Sequence, residues 1–253
     1  MKENKKGLTD LTRREFLYLT GAGVTGIALA GLPKLSHGEA KKPKYGGYLR
    51  VGERYASAGL DPHKNQEFPD YQNYYLMYNG LTDVGQLPQV NIYPDLAESW
   101  DISSDGREYV FHLRKGAKFH HGKELDSGDV KYTFDRIMNP ETRSPRAFAY
   151  RWIDSVNVMD KYNIMIKLKE PFGPFLTTLT IRNCPIIPAG SEPTPTKPAP
   201  GTGPFVFKAF VPNESTEFTR FDQYWEHDLK TGDPGGIDPG LRHGRAPGVD
   251  RTA

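Results

Sequence analysis

Apolar and polar positions along this 253-residue chain change period several times, and the changes mark out its elements. Tyr109, Phe111 and Leu113 alternate with Val110, His112 and Arg114, the period-two pattern of a half-buried strand. Ser104-Asp105-Gly106 just before them is turn chemistry, and "AKFH" after Lys115-Gly116 predicts a second short strand. From Asp126 the period becomes helical. Val130, Phe134 and Ile137 fall at i, i+4 and i+7, Asp126 or Ser127 can cap, Asp129 suits the first turn, and Asn139-Pro140 ends the run. Phe134 is expected in the core with Val130 and Ile137, against the strand bearing Phe111. "SVNVMDKYNIMIKL" predicts two strands around a tight turn at 160–163, with Ile164, Ile166 and Leu168 opposite Lys167 and Lys169. Pro174, pre-set for a first helical position, restarts helix in "EPFGPFLTTLT".

The flanks are less regular. "GGYLRVGER" (46–54) reads as a short strand, followed by a loop containing Asp61-Pro62. "DYQNYYLMYNGL" (70–81) places Tyr71, Tyr74, Tyr75 and Tyr78 at helical spacing and stops at Asn79-Gly80. Such a stripe is more often half core and half wet surface than a ligand-stacking shelf. Residues 188–204, "PAGSEPTPTKPAPGTGP", lack a periodic apolar face and read as a linker between domains. "FVFKAFVPNESTEFTRF" then supplies two strand candidates around Pro212-Asn213. No internal repeat or heptad is present, and segments of strand type and helix type alternate along the chain.

The N-terminus is a different object. Lys2, Lys5, Lys6, Arg13 and Arg14 precede 17 uncharged residues from Phe16 to Leu32, then Pro33 and the small residues Gly38 and Ala40. A spanning helix needs roughly 20 predominantly apolar residues, and this run is shorter and interrupted by four glycines. The layout is that of a cleaved export signal covering residues 1–40. Thr12-Arg13-Arg14-Glu15-Phe16-Leu17 resembles the twin-arginine motif, which an export machinery reads before moving folded cargo. Cleavage near Ala40 would leave the protein periplasmic or extracellular.

Charge follows from that division. The first 40 residues hold six of the 33 Lys and Arg and four of the 31 Asp and Glu, leaving 27 of each. The mature chain is then formally neutral, and nothing in its charge suggests a polyanion partner such as nucleic acid. The single Cys184 cannot form an internal disulfide, so the fold must rest on burial.

Candidate chemistry is sparse. His120-His121 in "KFHHGK" is read as a polar turn, because adjacent strand residues point to opposite faces and cannot chelate one ion. "GTGPF" superficially resembles a phosphate loop but lacks the Gly-Lys-Ser/Thr end. Glu98 with Asp101, or Asp126 with Asp129, could be imagined as a glycosidase pair, yet helix capping accounts for the second. No nucleophile elbow is present. No catalytic residue, metal ligand or cofactor is therefore assigned.

Four blocks in order, "LAESWDISSDGREYVFHLRKGAKFHHGKELDSGDVKYTFDRI", "KEPFGPFL", "GTGPFVFKAF" and "FDQYW", resemble the extracellular solute-binding proteins of the dipeptide, oligopeptide and nickel class, which feed ABC importers. The resemblance runs from residue 46 to residue 225. It implies an α/β, two-lobed periplasmic-binding-protein clamp, of the class with an extra sub-domain, that closes by hinge motion on a small polar solute such as a di- or oligopeptide and delivers it to membrane permease subunits. Members of the class are considerably longer, so the chain is expected to hold only the first lobe. Residues 41–62 and 200–231 would form parts of its main sub-domain, and 63–199 a second sub-domain with the linker. Ligand contacts expected on this lobe are Arg54 and Tyr55 after the first strand, Tyr78 and Asn79 at the helix end, and Thr202 and Phe205 beside the linker.

Residues 232–253 hold six Gly, three Pro and three Arg but no Lys or aromatic residue. They read as a low-complexity tail, or as translation out of frame. Two other functions stay open at this stage: a secreted enzyme exported folded with a cofactor, and an inactive truncated binding protein.

Overall fold

The computed structural model describes residues 47–84, 91–181 and 184–226. The predicted export signal with Arg13 and Arg14, and the tail from residue 232, lie outside them. The described residues from Gly52 to residue 226 form one compact unit, and within it the alternating segments do become strands. β1 (Thr82–Val84) pairs with β2 (Ile92–Pro94), and β3 (Ala97–Ile102), β4 (Glu108–Leu113), β5 (Ile153–Val158) and β6 (Asn163–Leu168) form an antiparallel sheet in the order β3-β4-β6-β5. β7 (Phe205–Val211) and β8 (Ser215–Arg220) form a hairpin that turns through Asn213 at φ +61°, a left-handed conformation that Asn tolerates.

Among the described residues three α-helices accompany the strands: α1 (Phe68–Met77), α2 (Ser127–Met138) and the single turn α3 (Phe175–Thr178). α2 begins with a reciprocal cap. Asp126 accepts the Asp129 backbone N–H while Asp129 accepts the Asp126 N–H, satisfying two donors that a helix start leaves open. This explains both carboxylates without a substrate. Its apolar stripe is fully buried: Val130, Phe134 and Ile137 share one core with Phe111, Leu113, Ile164, Ile166 and Leu168. The helix lies over β5 and β6, and Phe134 meets Tyr150 edge-on with ring centres 5.4 Å apart.

Four expectations are corrected. Residues 47–54 contain no strand, and Tyr48, Leu49 and Val51 are exposed; alternation makes a strand only where a neighbour completes the ladder, and among the described residues none does. "AKFH" makes a single bridge, Lys118 to Glu124, because the chain turns again at Gly122. Helix α1 starts two residues before Asp70 and ends at Met77, where Tyr78 turns extended. Pro174 stands at the N-cap of α3, which stops after four residues.

The tyrosine stripe on α1 divides as the half-core reading requires. Tyr74 and Tyr78 are buried, whereas Tyr71 is half-buried and Tyr75 exposed. The Pro-rich stretch is not loose at its far end, since 199 and 201–204 are buried. Gly201 and Gly203 lie against the end of α1, and a Cβ on Gly201 would fall 1.8 Å from the Met77 carbonyl oxygen. Only glycine allows that approach.

Candidate functional site

The close packing of "GTGP" on α1 brings Tyr78, Asn79 and Thr202 together from positions more than 120 residues apart. Thr202 donates to the Asn79 side-chain oxygen at 3.1 Å. The Asn79 amide donates to Asp95 Oδ1 at 2.9 Å, and Asp95 Oδ2 accepts the Gly80 N–H at 2.9 Å. Asp95 thereby fixes the sharp turn that carries the chain from α1 into β1. Thr202 is fully buried, and Asn79 and Asp95 nearly so, so their bonds are made in a low-dielectric setting where an unpaired partner is costly.

Tyr78 is anchored differently. Its hydroxyl donates to the Ala199 carbonyl at 2.9 Å, and burial raises the phenol far above its ordinary pKa. It is a strut beneath the site. Phe205 is half-buried in β7 opposite Arg220. Arg54 and Tyr55 are exposed, with the guanidinium 5.5 Å from the tyrosine ring centre. Of the six residues that the sequence suggested as ligand contacts, Asn79 and Thr202 are joined by a hydrogen bond, Tyr78 packs beside them with its hydroxyl turned to Ala199, and Arg54, Tyr55 and Phe205 lie outside this cluster.

The network continues to residues that sequence reasoning did not select. Tyr224 lies 3.5 Å from the Asn79 amide, and its hydroxyl donates to Glu226 Oε2 at 3.0 Å. Tyr224 also forms part of the wall of an open cleft of about 640 Å³, together with Trp225, Arg114, Lys118, Glu98 and Asp222. The volume is within the range of small-molecule sites. Arg114 places its guanidinium 4.3 Å from the Trp225 ring centre and donates from Nε to the Asp95 carbonyl at 3.2 Å. Cations and carboxylates share this wall with two aromatic faces. The signal for it was the repeated aromatic in "FDQYW" and the acid in "YPDLAESW", both of which read equally well as scaffold.

His120 closes the far side. Its Nε2–H donates to the Gly203 carbonyl at 2.9 Å, its Nδ1 accepts the Gly201 N–H at 3.3 Å, and its own N–H donates to the Gly201 carbonyl at 2.8 Å. Burial pushes the ring down to about 4. Both nitrogens are committed to backbone, so this histidine clasps the glycine loop. Among the described residues no three His, Cys, Asp or Glu side chains converge as metal ligands.

Residues 91–251 match the family model described as bacterial extracellular solute-binding proteins, family 5 Middle. The chain belongs to that family. Among curated relatives, the glutathione-binding protein GsiB of Pectobacterium atrosepticum is 30% identical over 223 residues, covering 84% of this chain and 40% of GsiB. The dipeptide-binding protein of Escherichia coli is 30% identical over 178 residues, covering 59% of this chain and 33% of the relative. The crystal structure of a nickel ABC transporter protein from Bacillus halodurans aligns with a TM-score of 0.57 at 33% identity, over 68% of this chain and 34% of that one. The chain therefore spans about two fifths of the curated relative that it matches over most of its own length, and it shares the α/β fold of family 5 periplasmic binding proteins over that part.

Proposed function

We propose that this chain forms one wall of the solute-capturing component of an ABC importer, taking up a peptide or similar small polar solute outside the cytoplasmic membrane and passing it to permease subunits. The observation that carries the reading is the double role of Tyr224, which is tied to the buried Asn79–Asp95–Thr202 network on one side and faces the Arg114–Trp225 cleft on the other. Networked polar groups behind a partly aromatic wall orient a solute without reacting with it. Arg114, Lys115 and Lys118 alongside Glu98 and Asp222 suit a solute that carries both charges. The names of the relatives, glutathione-binding and dipeptide-binding, point to the same class.

Arg13-Arg14 supports export by the twin-arginine route, with signal cleavage near Ala40. Replacing both with Lys should leave precursor in the cytoplasm; mature protein still appearing outside would refute that route. Arg54, Tyr55 and Phe205 would contribute contacts only from the rim.

A clamp gains affinity by burying most of its ligand, about 70 to 90% of the surface, and one wall offers a fraction of that contact. Isothermal titration with dipeptides, tripeptides and glutathione should give no saturable heat for the 253-residue chain at micromolar concentration. A chain continued to the length of its relatives should bind, and Arg114→Met in it should weaken binding. Catalytic turnover of any of these peptides, or submicromolar binding by the chain as given, would overturn the reading.

A further inference from the structure

His112 on β4 faces away from the core, on the side of the sheet opposite α2, and both of its ring nitrogens point at oxygen atoms. Nε2 lies 2.9 Å from Asp101 Oδ2 on the neighbouring edge strand β3. Nδ1 lies 2.6 Å from Asn163 Oδ1 at the start of β6. The orientation of the Asn163 amide follows from chemistry, since its Nδ2 is 2.7 Å from Asp160 Oδ2, and a carboxylate accepts but does not donate. Asp160 is itself fixed, because its Oδ1 accepts the backbone N–H groups of Tyr162 and Asn163. The oxygen of Asn163 must therefore face the histidine. A neutral imidazole carries one N–H and would turn a lone pair toward one of the two oxygens; the imidazolium donates to both.

We propose that His112 is a proton-operated clasp that, as the imidazolium, ties edge strand β3 to β4 and to the β5–β6 turn, and that releases Asp101 when it loses its Nε2 proton to solvent. The asymmetry of release follows from the partners. Asn163 is held in place by Asp160, whereas the Asp101 side chain is 79% exposed and can turn into water. β3 has a ladder neighbour on one side only and an irregularity in register between Ala97 and Ser99, so a side-chain tie matters more there than between the inner strands.

The charged groups around the ring favour its protonation. Asp101 and Glu98 face it from β3, and both raise its pKa, as does the bond to Asn163; Lys115 acts on Asp160, one step removed. Because the folded value is raised above the unfolded value of about 6.5, the clasp contributes in full below that pH and is lost as pH rises through the folded value.

The test is a pH titration of the full chain by nuclear magnetic resonance, with two-bond nitrogen–proton correlations for the ring and amide exchange protection for residues 99–102 relative to β4 and β6. His112 should titrate above its value in the urea-unfolded chain and show both nitrogens protonated at the acid end. At the alkaline end it should be protonated at Nδ1 alone. Protection of 99–102 should fall relative to β4 and β6 across that titration, and Asp101→Asn should lower the His112 pKa and abolish the change. Should Asp101→Asn fail to fold, the titration of the unaltered protein decides alone. A His112 pKa at or below the unfolded value, a neutral ring protonated at Nε2, or protection of β3 that does not follow the titration would each overturn the proposal.

Discussion

Arg136 grips Asp61 by both carboxylate oxygens, with Nη1 3.1 Å from Oδ1 and Nη2 2.7 Å from Oδ2. The pair is largely buried, with side-chain exposures of 12% and 2%, and it joins helix α2 to the loop ahead of α1. The same Nη1 donates to Nδ1 of His63 at 2.8 Å, and the Nε2–H of His63 donates to the Pro185 carbonyl at 2.9 Å. One guanidinium thereby organises three separate chain segments. Removing one member of a buried pair leaves the other uncompensated, at a cost of about 3 to 5 kcal/mol. Arg136→Met should show that loss in urea unfolding, and Asp61→Leu combined with it should recover part. A double variant no more stable than Arg136→Met would mean that the pair is not what anchors the loop.

Phe134→Ala should destabilise by about 3 to 5 kcal/mol, because it empties a fully buried site against Tyr150. Lys131 on the opposite side of the helix makes an exposed pair with Asp135, worth about 0.3 to 0.5 kcal/mol at most. Lys131→Ala should therefore barely move the melting temperature. Equal shifts for the two variants would contradict the observed helix face.

Two histidines, His63 fully buried and His120 half-buried, shape the response to acid. Burial pushes His63 down to about 3, reinforced by the Arg136 charge, and His120 down to about 4. Both folded values lie below the unfolded one of about 6.5, so the unfolded chain takes up protons that the folded chain refuses. Their contribution is complete above pH 6.5 and is lost as pH falls toward the folded values, by about 1.4 kcal/mol per pH unit for each ring. Stability measured between pH 6 and 4 should fall steeply, and His120→Gln should make that slope shallower by one proton. An unchanged slope would show that His120 is protonated in the folded state.

Gly201→Ala should prevent the glycine loop from seating on α1, because its Cβ would meet Met77 backbone at 1.8 Å. Unfolding should be strongly promoted, and the Thr202–Asn79 bond lost with it. Gly173→Ala, with nothing within 4 Å and no left-handed backbone, is the control and should be tolerated. A Gly201→Ala protein as stable as the control would show that the loop packs elsewhere.

Local pattern was sufficient wherever an element meets its partner within a few dozen residues. The alternation around Phe111, the turn at 160–163, the cap at Asp126 and the stripe of Val130, Phe134 and Ile137 were all legible, because period and capping chemistry are properties of neighbouring residues. The ordered blocks from "LAESW" to "FDQYW" were legible for the same reason and carried the family. Pairing over long separations was not. Nothing in "GGYLRVGER" says whether a neighbouring strand is present, and nothing in "GTGP" says that its glycines are there to touch Met77 rather than to let a linker bend. The site shows the same division. Asn79 and Thr202 could be selected singly, but Asp95 and Tyr224 join them only after the chain has folded, since a hydrogen bond between residues 79 and 224 is set by packing and leaves no periodic trace in the sequence.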